Sequence, residues 1–351
     1  MDRGAQLTEW YRAQLDDASI IAVVDGAAES GYSNEVLFAT VHYGTEHSHE
    51  VHDHAHVHEH LGDDHEHVVV RLAPSGPPLF PTYDLRMQAD VQAFAATAGV
   101  PVPDPIVVEN DAKWLGAPFL VMPLVEGRVP GEVPVQCAWI ADLDPVDQGR
   151  LEGAFLDGLA RLHRSGVHGA PLSLRAPMTL ADEVAWWAAY AEWACERTDS
   201  GSLRALFDWC GEHLPATEPP AGVLWGDVRL GNTIVGDDLA PVAVLDWEMA
   251  SVGPAEHDLA WYMSQNATMA RFFGGGVPGF AARDALVARH EAALGRPLVA
   301  FSWFERFAMA RSAAVHHRAE VVAALVAGTD LPSTADSFLI TYTAKQLAKP
   351  D

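Results

Sequence analysis

Val223–Asp258 reads VLWGDVRLGNTIVGDDLAPVAVLDWEMASVGPAEHD. It sets Asp227 ahead of an amide, Asn232, and then places a second carboxylate, Asp246, at the end of an apolar run. Gly226 permits a tight turn before Asp227. Thr233 to Val235 and Val242 to Leu245 are two short β-rich runs separated by GDDLAP, a turn composition. The hairpin they predict returns Asp246 to face Asn232. Phosphoryl transfer with bound Mg2+ needs this set of groups: one carboxylate to orient or deprotonate an attacking hydroxyl, and an amide plus a second carboxylate to hold metal against the phosphates. Asp227 fits the first role as the candidate catalytic residue, and Asn232 and Asp246 fit the second as candidate metal ligands.

The sequence around this stretch changes character once. Leu7 to Leu15 has helical spacing, and Ile20 to Val24, Val36 to Tyr43 and Val68 to Leu72 are strand-like. Tyr83 to Ala98 follows helical spacing, and Ile106 to Val108 and Phe119 to Val125 predict two more strands. After FLVMPLVEG the chain becomes helical, with Asp144 placed to cap a helix whose first residue is Pro145. Helices are predicted through Asp147 to Ser165, Leu180 to Trp193, Leu259 to Met269, Ala281 to Leu294, Phe301 to Ala327 and Ser333 to Leu347, with Ser333 as a cap. The fold class is therefore α+β. A small antiparallel-sheet lobe with one helix spans 1–126, and a larger, mainly helical lobe spans 127–351.

Two segments of the first lobe stand out. Gly26 to Glu35, GAAESGYSNE, joins two strands and reads either as a simple turn or as a backbone cover over phosphates. The segment 44–67, GTEHSHEVHDHAHVHEHLGDDHEH, is a His-rich insert at the tip of a hairpin. It reads as a solvated loop or as an adventitious site for Zn2+ or Ni2+ at residues such as His52, His54, His56 and His58. Arg71, at the end of the following strand, is either an ordinary surface cation or one that reaches nucleotide phosphates. Trp186, Trp187, Trp193 and Trp209 read as helix packing or as the wall of a substrate pocket. His163 reads as a capping or packing residue.

Composition narrows the classes. The net charge of −26 argues against nucleic acid as a partner, since such binding draws on Lys and Arg. No apolar run is long enough to span a bilayer, which predicts no membrane partner. Cys137, Cys195 and Cys210 lack metal-ligand spacing and suit a reducing compartment. The amino-terminal stretch has no apolar signal core. Together these predict a cytoplasmic protein.

WGDVRLGNTIV followed by AVLDWEMASVGPAEHDLAW resembles the aminoglycoside phosphotransferase-like, or choline-kinase-like, small-molecule kinases. FPTYDLRMQADVQAF, GVPVPDPIVVE, LGAPFLVMPLVEGRVP and LARLH resemble the same family, most of all its actinobacterial members. A related branch is the kinase-like domain attached to some acyl-CoA dehydrogenases. The resemblance implies a two-lobed protein-kinase-like fold and transfer of the γ-phosphate of ATP, or of GTP, to a hydroxyl of a small molecule, with Mg2+ as the metal. It implies a phosphate-covering loop at Gly31, Tyr32, Ser33 and Asn34, and an adenine-contacting hinge at Met122, Pro123, Leu124 and Val125. Asp258 takes the place of a helix carboxylate that braces the catalytic loop. Three positions depart from the family pattern: Trp225 where His is common, Arg71 for the phosphate-anchoring Lys, and Gln88 for the Glu that pairs with it. An alternative reading is a nucleotide-binding or metal-responsive kinase-like protein without catalysis, using the His-rich insert.

Overall fold

The computed structural model describes residues 2–28, 35–43, 65–174, 179–196 and 198–349. Two compact units divide the chain. One comprises 1–78, 83–89 and 103–125, and the other comprises 79–82, 90–102 and 126–351.

The first unit is an antiparallel sheet of five strands in the order β1-β2-β3-β5-β4. These are β1 (Ile21–Ala28), β2 (Glu35–His42), β3 (His65–Leu72), β4 (Val107–Glu109) and β5 (Phe119–Pro123). Alternation along β2 and the apolar run of β3 turn Leu37, Ala39, Val41, Val68, Val70 and Leu72 into one core. Helix α1 (Arg3–Leu15) lays Leu7, Trp10 and Tyr11 on that core. Thr8 locks the helix to the sheet, because its hydroxyl donates to Ala22 O at 3.2 Å and accepts from Ala22 N at 2.8 Å. Arg71 lies opposite Val36 and Leu120 in the sheet and is buried, so it is not an ordinary surface cation. Gln88, in α2 (Leu85–Thr97), is buried as well. The unit boundary falls inside that helix. Gly31, Tyr32, Ser33 and Asn34 lie outside the described residues, as do His52, His54, His56 and His58.

The second unit is helical, with two small ribbons inserted. Its helices are α3 (Ala138–Ala141), α4 (Pro145–Arg164), α5 (Leu180–Ala194), α6 (Gly201–Glu212), α7 (Glu256–Phe272), α8 (Arg283–Leu294), α9 (Phe301–Ala327) and α10 (Phe338–Leu347). The long α9 packs against α7, α5, α6 and α10 and carries Phe304, Phe307, Ala310 and Ala314 into the core. One ribbon joins β7 (Thr233–Val235) to β8 (Pro241–Val244), which is the hairpin expected after Asn232. The other pairs β6 (Ala221–Leu224) with β9 (Ser251–Pro254). The sequence SVGP of β9 reads as loop by composition, and only its non-local partner makes it a strand.

Asp144 caps α4 as its sequence predicts, accepting from Val146 N at 2.8 Å and Asp147 N at 2.9 Å. The expected start of the last helix is corrected. Ser337 is its cap, accepting from Ile340 N, and the helix begins at Phe338 instead of following Ser333. Thr334 is buried and donates to Asp199 O at 2.9 Å, which holds 333–336 in a turn. Cys195 and Cys210 are buried free thiols, and burial pushes them up to about 11 and about 12, so they remain unreactive near neutral pH. No helix among the described residues is long and apolar enough to cross a membrane. Replacing Asp144 with Ala is expected to cost about 1 kcal/mol of stability, with Asp144→Ser recovering most of it. Urea unfolding followed by circular dichroism measures both.

Candidate active site

Strand β6 runs into the loop that carries Asp227, and the backbone of that loop is tied down first. Trp225 N–H donates to Asp258 Oδ2 at 2.9 Å, and Gly226 N–H donates to Asp258 Oδ1 at 3.0 Å. Gly226 has φ +92°, and a Cβ there would stand 2.1 Å from Met249 O, so no other residue fits. Asp258 lies in the first turn of α7 and is 1% exposed. Its second partner on Oδ2 is His163 Nε2 at 3.0 Å, and His163 Nδ1 meets His290 Nε2 at 3.0 Å. His163 thus links the Asp258 carboxylate to His290 through its two ring nitrogens. Thus α4, α7 and α8 all bear on one short loop. His163 is a packing residue with a specific polar duty.

Asp227 is buried and held on both carboxylate oxygens. Trp261 Nε1 donates to Oδ1 at 2.9 Å, and Asn232 Nδ2 donates to Oδ2 at 2.9 Å. Asn232 Nδ2 also reaches Asp227 O at 3.0 Å. Arg229 Nε spans the carboxylate at 3.1 and 2.9 Å, and its Nη2 donates to Asn232 Oδ1 at 3.1 Å. Glu132 holds the remaining end of the same guanidinium. Burial disfavours the charge on Arg229, but Asp227, Glu132 and Asp246 more than offset it, so the guanidinium is held above its ordinary value.

Asp246 follows β8 in a left-handed conformation, φ +60°. For a residue with a side chain this is strained, by roughly 1–2 kcal/mol. Two contacts over-determine it. Leu245 N–H donates to Asn232 O at 2.9 Å, which fixes the strand end against the Asn232 turn. The Trp225 indole N–H donates to Leu245 O at 2.9 Å and to Asp246 O at 3.2 Å. Trp225 is thus a clamp between the loop and the Asp246 turn, in keeping with a structural role at that position.

The second unit therefore brings together Asp227, Asn232, Asp246 and Asp258. Arg71, Gln88 and the 122–125 segment belong to the first unit. In that unit the backbone of Leu124 donates to His67 O at 2.9 Å, which extends the β3–β5 pairing one residue past Pro123. Four residues escaped sequence reasoning: Arg229, Trp261, Glu132 and His290. Two of them had a signal. Arg229 is a cation inside the motif itself, and Trp261 follows Asp258 by one helical turn and so shares its face. Trp261 also links Asp227 to the aromatic cluster, because the Arg311 guanidinium lies over both Trp261, at 5.0 Å, and Trp187, at 4.8 Å. Trp187 is a buried packing residue whose indole donates to Glu183.

This fold is that of the two-lobed protein-kinase-like phosphotransferases, a small antiparallel sheet followed by a larger helical part. A Ralstonia eutropha structure assigned to the aminoglycoside phosphotransferases superposes with TM-score 0.67 at 19% identity, covering 98% of this chain and 94% of that one. The GDP complex of aminoglycoside 2'-phosphotransferase-IIIa superposes with TM-score 0.56 at 14% identity, covering 99% and 97%. The sequence profile of the phosphotransferase enzyme family (APH) matches residues 56–295, and the chain belongs to that family. Acyl-CoA dehydrogenase family member 11 of Gallus gallus is 30% identical over 196 residues, which are 55% of this chain and 24% of the relative. The aligned part is thus about a quarter of that relative's length.

His290 is lowered to about 3, by burial first and then by the neighbouring charges of His163, Arg296 and Arg164. Its folded value lies below its unfolded one. As pH falls through 6.5 the unfolded chain takes a proton there that the folded chain refuses, and stability is lost down to about pH 3. The stability of His290→Gln relative to wild type should therefore rise by about 2 kcal/mol between pH 7 and pH 5. Denaturant unfolding at the two pH values reads this difference.

Proposed function

We propose that this phosphotransferase is a kinase that moves the γ-phosphate of ATP to a hydroxyl of a small molecule. The observation that carries the reading is the Asp227 carboxylate, buried and oriented by an indole, an amide and a guanidinium at once. In the proposed step the acceptor oxygen forms a bond to the γ-phosphorus while the bond from that phosphorus to the bridging oxygen breaks. ADP leaves, and the hydroxyl proton passes to Asp227. Asn232 and Asp246 are the proposed ligands of Mg2+. Their fit is chemical: an amide oxygen and a carboxylate are hard donors suited to that ion, and this cluster of oxygens already draws the positive charge of Arg229. Bound metal supplies neutralisation of phosphate charge. Arg71, Gln88 and the segment Met122, Pro123, Leu124 and Val125 are proposed nucleotide contacts.

Arg229 takes a part in this reading that sequence alone did not assign. Its guanidinium holds Asp227 and Asn232 in one arrangement. Preorganised charge of this kind contributes more than charge that must reorient during the reaction.

Two variants test the proposal. Asp227→Asn keeps the shape and the indole contact but removes the proton acceptor. It is expected to lower phosphate transfer on the order of a thousandfold while ATP affinity stays near wild type. Asp246→Ala is expected to abolish the Mg2+ dependence of nucleotide binding, measured by calorimetry with and without the metal. Wild-type turnover in Asp227→Asn, across a panel of alcohol acceptors, would refute the assignment.

A further inference from the structure

Behind α7 lies a cavity of about 400 Å³ that none of the catalytic groups lines. Helix α7 separates the two. Trp261 on this helix meets Asp227, whereas Met263, Ala267 and Ala270 line the cavity. At 100° per residue those three stand about 200°, 240° and 180° round the helix from Trp261. Met309 of α9, Leu286 of α8 and the segment Gly275–Phe280 supply the opposite walls.

The lining is mostly apolar, and its few polar groups are informative. Ser264 is 8% exposed, and its hydroxyl has no hydrogen-bond partner among the described residues. A buried hydroxyl left so costs roughly 1–3 kcal/mol, and a turn about the Cα–Cβ bond toward the cavity would let a ligand oxygen recover it. Glu152, at the base, has both oxygens in use: Tyr262 OH donates to one at 2.7 Å and Ala281 N–H to the other at 2.6 Å. Burial also raises its pKa, which favours the neutral acid. A cationic ligand would have to compete for oxygens already engaged. At the rim, Arg283 is paired on two sides with Glu305, Nε and Nη2 each at 2.7 Å, so an anion finds no unengaged fork of donors. Volume, apolar walls and a single orphaned hydroxyl are the features of a small-molecule site.

We propose that this cavity binds a neutral lipophilic molecule carrying one hydroxyl or carbonyl, with that oxygen on Ser264 and the apolar body against Met263, Ala267, Ala270 and Met309. The site is separate from the phosphotransfer site and does not depend on the assignment of Asp227. The three methionines in the lining, Met263, Met269 and Met309, let it adapt to more than one apolar shape.

Titration with the neutral dye Nile red tests the proposal by fluorescence, with decan-1-ol, decanoate and decylamine as competitors. Saturable binding to the wild-type chain is expected, with decan-1-ol displacing the dye at a concentration about tenfold lower than either charged competitor. Ala267→Trp and Met309→Trp fill the cavity from opposite walls, and each should weaken the dye by about tenfold or more. Ser264→Ala should weaken decan-1-ol about fivefold through the lost hydrogen bond. A cooperative thermal transition identifies the variants that fold. Should one Trp variant not fold, the other and Ser264→Ala carry the test. Absence of saturable binding to wild type overturns the proposal, as does binding that survives the Trp substitutions in folded protein, or equal displacement by the three competitors.

Discussion

The carboxylate of Asp258 is the interaction on which the loop at 225–232 depends. It is buried, and it accepts two consecutive backbone N–H groups and a histidine ring. A carboxylate taken out of water at this cost persists only where its hydrogen bonds are complete. Its position in the first turn of α7 helps, because the helix dipole favours negative charge there. Glu256, two residues earlier in the same first turn, is also fully buried. It is matched by both ends of the Arg296 guanidinium, at 2.6 and 3.1 Å, and by Val299 N–H at 3.1 Å. The start of α7 is thus anchored on two sides, and the loop inherits that rigidity.

From that anchor the rest of the site follows in order. Trp225 is fixed through its backbone, so its indole can reach the carbonyls of Leu245 and Asp246. Asp246 can then hold a left-handed backbone that would otherwise relax. Gly231 continues the same close packing, since a Cβ there would meet Gly131 O at 2.4 Å. The segment that carries Glu132 therefore lies against the loop, and Glu132 can close on Arg229. Strain at Asp246 and tight glycine contacts are local costs that the Asp258 network offsets.

Much of this was legible in the sequence, and the divide is physical. Local rules predicted the Asp144 cap, the β7–β8 hairpin and the long helix ending at Ala327, because near neighbours decide those features. The Asp–Asn–Asp spacing was visible because one hairpin carries it. Partners across the fold were not visible. Glu132 meets Arg229 of the loop, His163 meets its anchor Asp258, and His290 meets His163, from three distant segments, and no period or spacing announces that. β9 escaped for the same reason, as did the true start of α10, where a buried contact of Thr334 overrode a plausible serine cap. The family resemblance supplied the brace role of Asp258, and the histidine relay behind it came only from the structure.

That relay has a consequence for how the protein reaches its working form. The groups that fix the loop at 225–227 sit at 163, 258 and 290, so their closure spans more than a hundred residues of chain. Loop-closing entropy must be met before such contacts return any stability. A chain emerging from the ribosome holds the Asp–Asn–Asp residues well before it holds His290, and during that interval the relay behind the motif is incomplete. Biosynthesis therefore separates possession of the motif residues from possession of the geometry that holds them, and the second arrives only with α8.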